Sequence, residues 1–186
     1  MRRCASGELV LHHDAHLADG RRLSRLRRRE IPSVIASLDD ALSVCGGRFV
    51  NVEIKADDVD RIRLVREVGR AIQRAAKATE IVVSSFDPFV VAATSTYGRR
   101  VRRGMLVGAR TPRLAVHLPL AMRRIVAGAH LQDPLIDERR VKRLLEAKLF
   151  VLAWTVNDPA RARALAAMGV ETIITDQPGA LASRRT

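Results

Sequence analysis

In VNVEIK, residues 50–55, apolar and polar positions alternate: Val50, Val52 and Ile54 fall on one face and Asn51, Glu53 and Lys55 on the other. The alternation predicts a strand over 49–55. Its charged face has two readings, the solvated side of an edge strand or the wall of an enclosed cavity. The period then lengthens. Val59, Ile62, Val65, Val68 and Ile72 recur every three or four residues, which predicts an amphipathic helix over 57–77. EIVVSSF at 80–86 reads as the next strand. DPFVVAATSTYG reads as a helix with Asp87 as cap, Pro88 in the first turn and Gly98 near the end.

The same rhythm runs to the C-terminus. GMLVGA at 104–109 and AHLQ at 129–132 read as strands separated by a helix over 113–126 that tolerates or kinks at Pro119. DERRVKRLLEAK at 137–148 reads as a helix, LFVLAWTV at 149–156 as a strand, DPARARALAAMG as a helix closed by Gly169, and ETIITD as the last strand. Upstream, the chain breaks at Pro32 and predicts a short helix ending at Gly46 and Gly47. Strands alternating with helices imply an α/β fold with a parallel sheet. No linker or repeat divides the chain, so residues 1–186 read as one domain. Polar residues recur at the strands' C-terminal ends: Glu53 and Lys55, Ser84 and Ser85, Gln132, Thr155 and Asn157, Thr175 and Asp176. A TIM-type (β/α)8 barrel gathers such ends on one rim, which favours it over an open sheet. Glu53 would then face a lumen.

Composition narrows the chemistry. A chain of 186 residues can bury a core without a metal or disulfide to hold it. Cys4 and Cys45 are too few for a disulfide framework or a Cys-rich zinc site. No apolar run has transmembrane or signal-peptide length, which makes a cytoplasmic product the expectation. Lys and Arg number 33 against 20 Asp and Glu, a net charge of +13 that favours polyanionic partners. Aromatic residues make up only 3%, leaving few platforms for stacking bases. The arginine run RRLSRLRRRE at 21–30 therefore reads as a solvated surface or an anion-attracting patch, including for an acidic membrane surface, and not as a specific nucleic-acid site.

Four segments, in order, resemble the glycerophosphodiester phosphodiesterase family: GELVLHHD at 7–14, VNVEIK at 50–55, VSSF at 83–86, and AWTVND with GVETIITDQP within 153–178. The similarity covers almost the whole chain. It implies a barrel enzyme of lipid and glycerol metabolism that hydrolyses glycerophosphodiesters to glycerol 3-phosphate and an alcohol, with a divalent metal, Ca2+ or Mg2+. By that resemblance His13, beside Asp14, matches a general acid or base, a task suited to imidazole. Glu53 matches a metal-ligand carboxylate. Lys55 matches a position near the phosphate, and Trp154 lines the glycerol side of the pocket. Ser84 and Ser85 read as strand-end hydroxyls that satisfy backbone groups, not as nucleophiles. Asp176 is open between a bond to the rim backbone and a ligand contact.

Family members usually begin with a strand ending in His-Arg-Gly and a second strand bearing Glu-x-Asp, and neither motif occurs here. The expectation is an incomplete barrel lacking about its first two strands, in which SGELVLHHD is the returning arm of a hairpin. Two of three carboxylate ligands would be missing from the metal site. The chain would then be either an impaired phosphodiesterase or a catalytically inactive phosphate- or phosphodiester-binding or interaction protein. Open barrel edges would also invite self-association.

Overall fold

The computed structural model describes residues 1–57, 59–75, 80–98 and 101–182, with only the backbone at Leu114 and Ala182. It comprises two compact units, Met1–Arg102 and Arg103–Thr186. The first opens with a hairpin: β1 (Arg2–Arg3) pairs antiparallel with β2 (Leu9–Val10), Arg2 opposite Val10. This is the hairpin expected around SGELVLHHD. Gly7 supplies its positive φ of 104°. An arm of two 3-10 turns, Leu23–Arg25 and Arg28–Glu30, then packs Leu17, Leu23, Leu26 and Ile31 against Cys4 and Val10. With the apolar side chains of the arginine run turned inward, Arg25, Arg27 and Arg29 are left exposed.

α1 (Leu38–Val44) starts at a capping box in which Ser37 and Asp40 satisfy each other's backbone N–H groups. β3 (Phe49–Glu53) pairs in parallel with β4 (Glu80–Ser85), setting Asn51 beside Val82 and Glu53 beside Ser84. The intervening α2 (Arg61–Ala75) buries Leu64, Val65, Val68, Ala71 and Ile72 against Val52, Ile54, Ile81 and Val83. It starts later than the spacing predicts because Asp60 caps it: the side chain accepts from the Arg63 N–H at 3.0 Å and the carbonyl from the Leu64 N–H at 2.9 Å. Val59 thus precedes the helix and Ile62 is 51% exposed, with Leu64 taking the core position. Residues 58, 76 and 77 of the predicted helix lie outside the described residues. Asp87 caps α3 (Pro88–Ala93) as expected, and a 3-10 turn carries the chain to Tyr97 and Gly98, whose φ is +83°.

The second unit carries four parallel strands in sequence order: β5 (Arg102–Val107), which begins at the boundary, then β6 (Gly128–Gln132), β7 (Phe150–Trp154) and β8 (Thr172–Ile173). Their interiors read as near-continuous apolar runs, the signature of strands covered on both faces. His130 is fully buried in β6, and a Cβ on Gly104 would collide with its ring. The helix expected over 113–126 is not continuous. A 3-10 turn spans Arg113–His117, then α4 (Leu118–Ala121) begins anew with Pro119 in its first turn. Proline cannot donate to a preceding carbonyl, so it restarts the helix where a tolerated or kinking interior position was expected. α5 (Glu138–Glu146) and α6 (Pro159–Ala167) are capped by Asp137 and Asp158. Gly169 follows α6 with φ +97°, and α7 (Pro178–Ala182) closes the described chain. Among the described residues no helix is long and apolar enough to cross a membrane.

Candidate active site

β3 delivers Glu53 and Lys55 to one cleft. Lys55 Nζ donates to Glu53 Oε1 at 2.7 Å, and the Lys55 and Glu53 side chains keep only 15% and 28% of their exposure. The cleft, about 260 Å³, is also lined by Arg2, Asp57, Arg61 and Asp87. The charged face of VNVEIK therefore borders a pocket and not open water. The strand pairing ends at Glu53, two residues sooner than expected, and separate hydrogen bonds fix Ile54 and Lys55. The Ile54 N–H donates to the Ser84 carbonyl at 2.7 Å, and Ser85 Oγ donates to the Ile54 carbonyl at 2.7 Å. The Met1 ammonium donates to the Glu53 carbonyl at 2.6 Å, and the Lys55 N–H donates to the Met1 carbonyl at 3.1 Å. Burial pushes that ammonium's pKa down to about 6.

Ser85 satisfies backbone groups as a strand-end hydroxyl was expected to, whereas Ser84 bonds a side chain. Both are buried; Ser84 Oγ donates to Asn51 Oδ1 at 3.0 Å, and Ser85 Oγ also accepts from the Asp87 N–H at 3.1 Å. Neither is set against a general base as a nucleophile requires. At the other strand ends Gln132 Oε1 accepts from the Ala109 N–H at 2.7 Å. Asn157 binds Thr175 and the side chain and backbone of Asp176. The Asp176 carboxylate thus bonds a rim side chain, where the rim backbone or a ligand was the expected partner.

His13 is placed differently from Glu53 and Lys55. Its ring is 84% exposed, hydrogen-bonded to Asp14 at 2.8 Å, and does not line the cleft. That bond holds the Asp14 carboxyl below its ordinary pKa. The His13 backbone is tied to the cleft wall all the same. Arg2 donates to the His13 carbonyl through Nε at 3.1 Å and Nη2 at 3.0 Å, and through Nη1 to Asp57 Oδ2 at 2.7 Å. Trp154 ends β7 in the second unit, where its Nε1 donates to the His130 carbonyl at 3.1 Å. Arg2, Asp57, Arg61 and Asp87 were not singled out as site residues from the sequence. The pairing of Arg2 with Val10, two residues before HHD, and the acids following Lys55 were the available signals.

The donor set does not fit a divalent cation. Ca2+ and Mg2+ take six or more oxygen ligands, usually from several carboxylates. Among the described residues no three His, Cys, Asp or Glu side chains converge, and the Glu53 carboxylate is engaged by Lys55. Each cation of the cleft is already paired, Lys55 with Glu53, Arg2 with Asp57 and Arg61 with Asp87, so an entering anionic group would have to take one of them from its carboxylate.

A family model of glycerophosphoryl diester phosphodiesterases matches residues 2–180. The chain belongs to this family. Family members are phosphoric diester hydrolases. Solved structures share the fold. A phosphodiesterase of Oleispira antarctica, in complex with the product sn-glycerol-3-phosphate, superposes with a TM-score of 0.84 at 21% identity, covering 98% of this chain and 81% of its own. Glycerophosphodiester phosphodiesterases of Parabacteroides distasonis (TM-score 0.76, 18% identity, 95% and 77% covered) and Thermotoga maritima (0.75, 18%, 95% and 79%) are also similar. The fold is thus of the family's TIM-barrel type. No curated protein matches the sequence.

Proposed function

We propose that the Glu53–Lys55 cleft receives the phosphoryl group of a glycerophosphodiester and that this chain belongs to a hydrolytic site releasing glycerol 3-phosphate and an alcohol, at a depressed rate. The observation that carries the reading is the Lys55 ammonium held beside Glu53 in a cleft with two further guanidiniums. On entry of the diester, Lys55 exchanges its carboxylate partner for a phosphoryl oxygen and offsets charge developing there. His13, outside the cleft at present, is the group to pass a proton between water and the leaving oxygen. Glu53 is the residue that the family resemblance offers to Ca2+ or Mg2+; because no three His, Cys, Asp or Glu side chains converge among the described residues, no step is assigned to a metal and the rate is expected to be low. In this reading the parallel strands within each unit are elements of a TIM-type barrel.

A second reading, an inactive phosphate- or phosphodiester-binding or interaction protein, draws on the same lack, among the described residues, of a converging metal-ligand group. Two measurements on the 186-residue chain separate them. Calorimetric titration with glycerol 3-phosphate is expected to show binding that Lys55→Ala weakens about tenfold, the loss of one charge-assisted contact. Release of glycerol 3-phosphate from glycerophosphocholine with Ca2+ or Mg2+ is expected to be slow and to stop in Glu53→Gln. Binding without release would establish the second reading. Binding indifferent to Lys55 would overturn both.

A further inference from the structure

A second cavity, of about 280 Å³, lies within the C-terminal unit between the segment 116–120 and α5. Its chemistry is divided. Val116, Pro119, Leu120, Leu131 and Leu144 make an apolar floor, and Leu131 and Leu144 are buried. The rim carries His117 and three arginines, Arg139, Arg140 and Arg143, against one carboxylate, Asp137.

Two of those rim groups are already occupied. Asp137 Oδ1 caps α5 by accepting from the Arg140 N–H at 2.7 Å, and the Arg140 guanidinium donates to the Leu135 carbonyl at 2.6 Å. Of the other three, His117, Arg139 and Arg143, the two arginines carry fixed positive charge. They stand one helical turn apart on the same side of α5, where like charges repel, and among the described residues neither guanidinium meets a carboxylate. An anion set between them would relieve that repulsion and take charge-assisted hydrogen bonds from both. Below the anion, the cavity leaves apolar surface that water covers poorly. At ~30 Å³ for each water-sized group, the space holds on the order of nine non-hydrogen atoms.

We propose that this cavity is a binding site for a medium-chain anionic amphiphile, an alkyl carboxylate or alkyl phosphate of about eight carbons. The chain fills the space over Leu120, Leu131 and Leu144, and the head group bridges Arg139 and Arg143. The site is separate from the Glu53–Lys55 cleft and shares no residue with it.

Titration of the 186-residue chain with octanoate tests it, with octyl phosphate as the alternative head group and octan-1-ol and acetate as half-ligands. Octanoate or octyl phosphate is expected to bind about tenfold tighter than octan-1-ol, while acetate fails to saturate. The methyl resonances of Leu120, Leu131 and Leu144 should shift during the titration. Whichever of the two anions binds tighter identifies the natural head group. Arg139→Gln combined with Arg143→Gln should bring octanoate down to the affinity of octan-1-ol without lowering the thermal midpoint. Leu120→Trp, which fills the cavity, should abolish binding of both. Equal affinity for octanoate and octan-1-ol, octanoate binding unchanged in either variant, or resonance shifts confined to other residues would overturn the proposal.

Discussion

Asp87 shows how closely stability and site are joined in this cleft. Its Oδ1 accepts from the N–H groups of Phe89 at 2.9 Å and Val90 at 3.3 Å, while its Oδ2 lies 2.6 Å from Arg61 Nε. The two contacts have different worth. Removing a cap costs about 1 kcal/mol. The pair with Arg61, whose side chain is 56% exposed, contributes little in water. Asp87→Ala should therefore lower stability by about 1 kcal/mol in urea denaturation, and Asp87→Asn, which retains an acceptor for the cap, by under about 0.5 kcal/mol. Asn should also tighten glycerol 3-phosphate binding, because Arg61 loses its competing carboxylate. Equal destabilisation by both substitutions, with unchanged binding, would contradict this division of roles. The cap was legible in DPF because Asp before Pro is a local signal. The pair with Arg61 was not, since it joins the start of one helix to the start of another.

At the level of elements, what the sequence disclosed depended on whether a local signal marked the boundary. α3, α5 and α6 begin where Asp87, Asp137 and Asp158 announce them. α2 begins at Asp60, also a capping residue, but the apolar spacing running through Val59 and Ile62 pointed to an earlier start. The segment 113–126 carried apolar residues at helical intervals, and Pro119 divided it. That Glu53 and Lys55 share one face was legible from alternation alone, because period two places them together whatever surrounds the strand, whereas their candidate roles came from the family resemblance. His13 was not, because the direction of a side chain beyond a strand end is set by contacts distant in sequence. One such contact holds the hairpin to α2: Arg3 Nε meets Glu67 Oε2 at 2.5 Å, and Arg63 Nε meets Glu67 Oε1 at 3.0 Å. Partial burial works to raise the Glu67 pKa, but the hydrogen bonds from Arg3 and Arg63 outweigh it and hold the carboxyl below its ordinary value. A carboxyl with a lowered folded-state pKa stabilises fully above its unfolded value and loses that contribution as pH falls through the lowered one. Glu67→Gln should thus cost about 2 kcal/mol at pH 7, a hydrogen-bonded charge lost from a mostly buried pair. The deficit should shrink as pH is lowered below about 4. Parallel stability curves for the two proteins down to about pH 2 would show that the contact contributes nothing.

For the whole molecule, charge and sheet edges act on association in opposite directions. The net charge of +13 repels like copies and attracts polyanions, and added salt weakens both effects. Backbone pairing between exposed strand edges has no such dependence, so salt should leave it in force while removing the repulsion that opposes it. The edges in question are restricted. Met1 engages the end of β3 through two backbone hydrogen bonds, and β8 is two residues long. Light scattering should accordingly give the 20.6 kDa monomer at low salt, with the mean mass rising as salt increases. Retention on a heparin or duplex-DNA column should fall over the same range, independent of DNA sequence. If the exposed arginines of the 3-10 arm carry the retention, Arg25→Gln, Arg27→Gln and Arg29→Gln together should reduce its salt slope by about 3 and shift the onset of self-association to lower salt. A mass of 20.6 kDa at every salt concentration would remove edge pairing from consideration, whereas an unchanged slope in the triple variant would move the anion-attracting surface elsewhere on the chain.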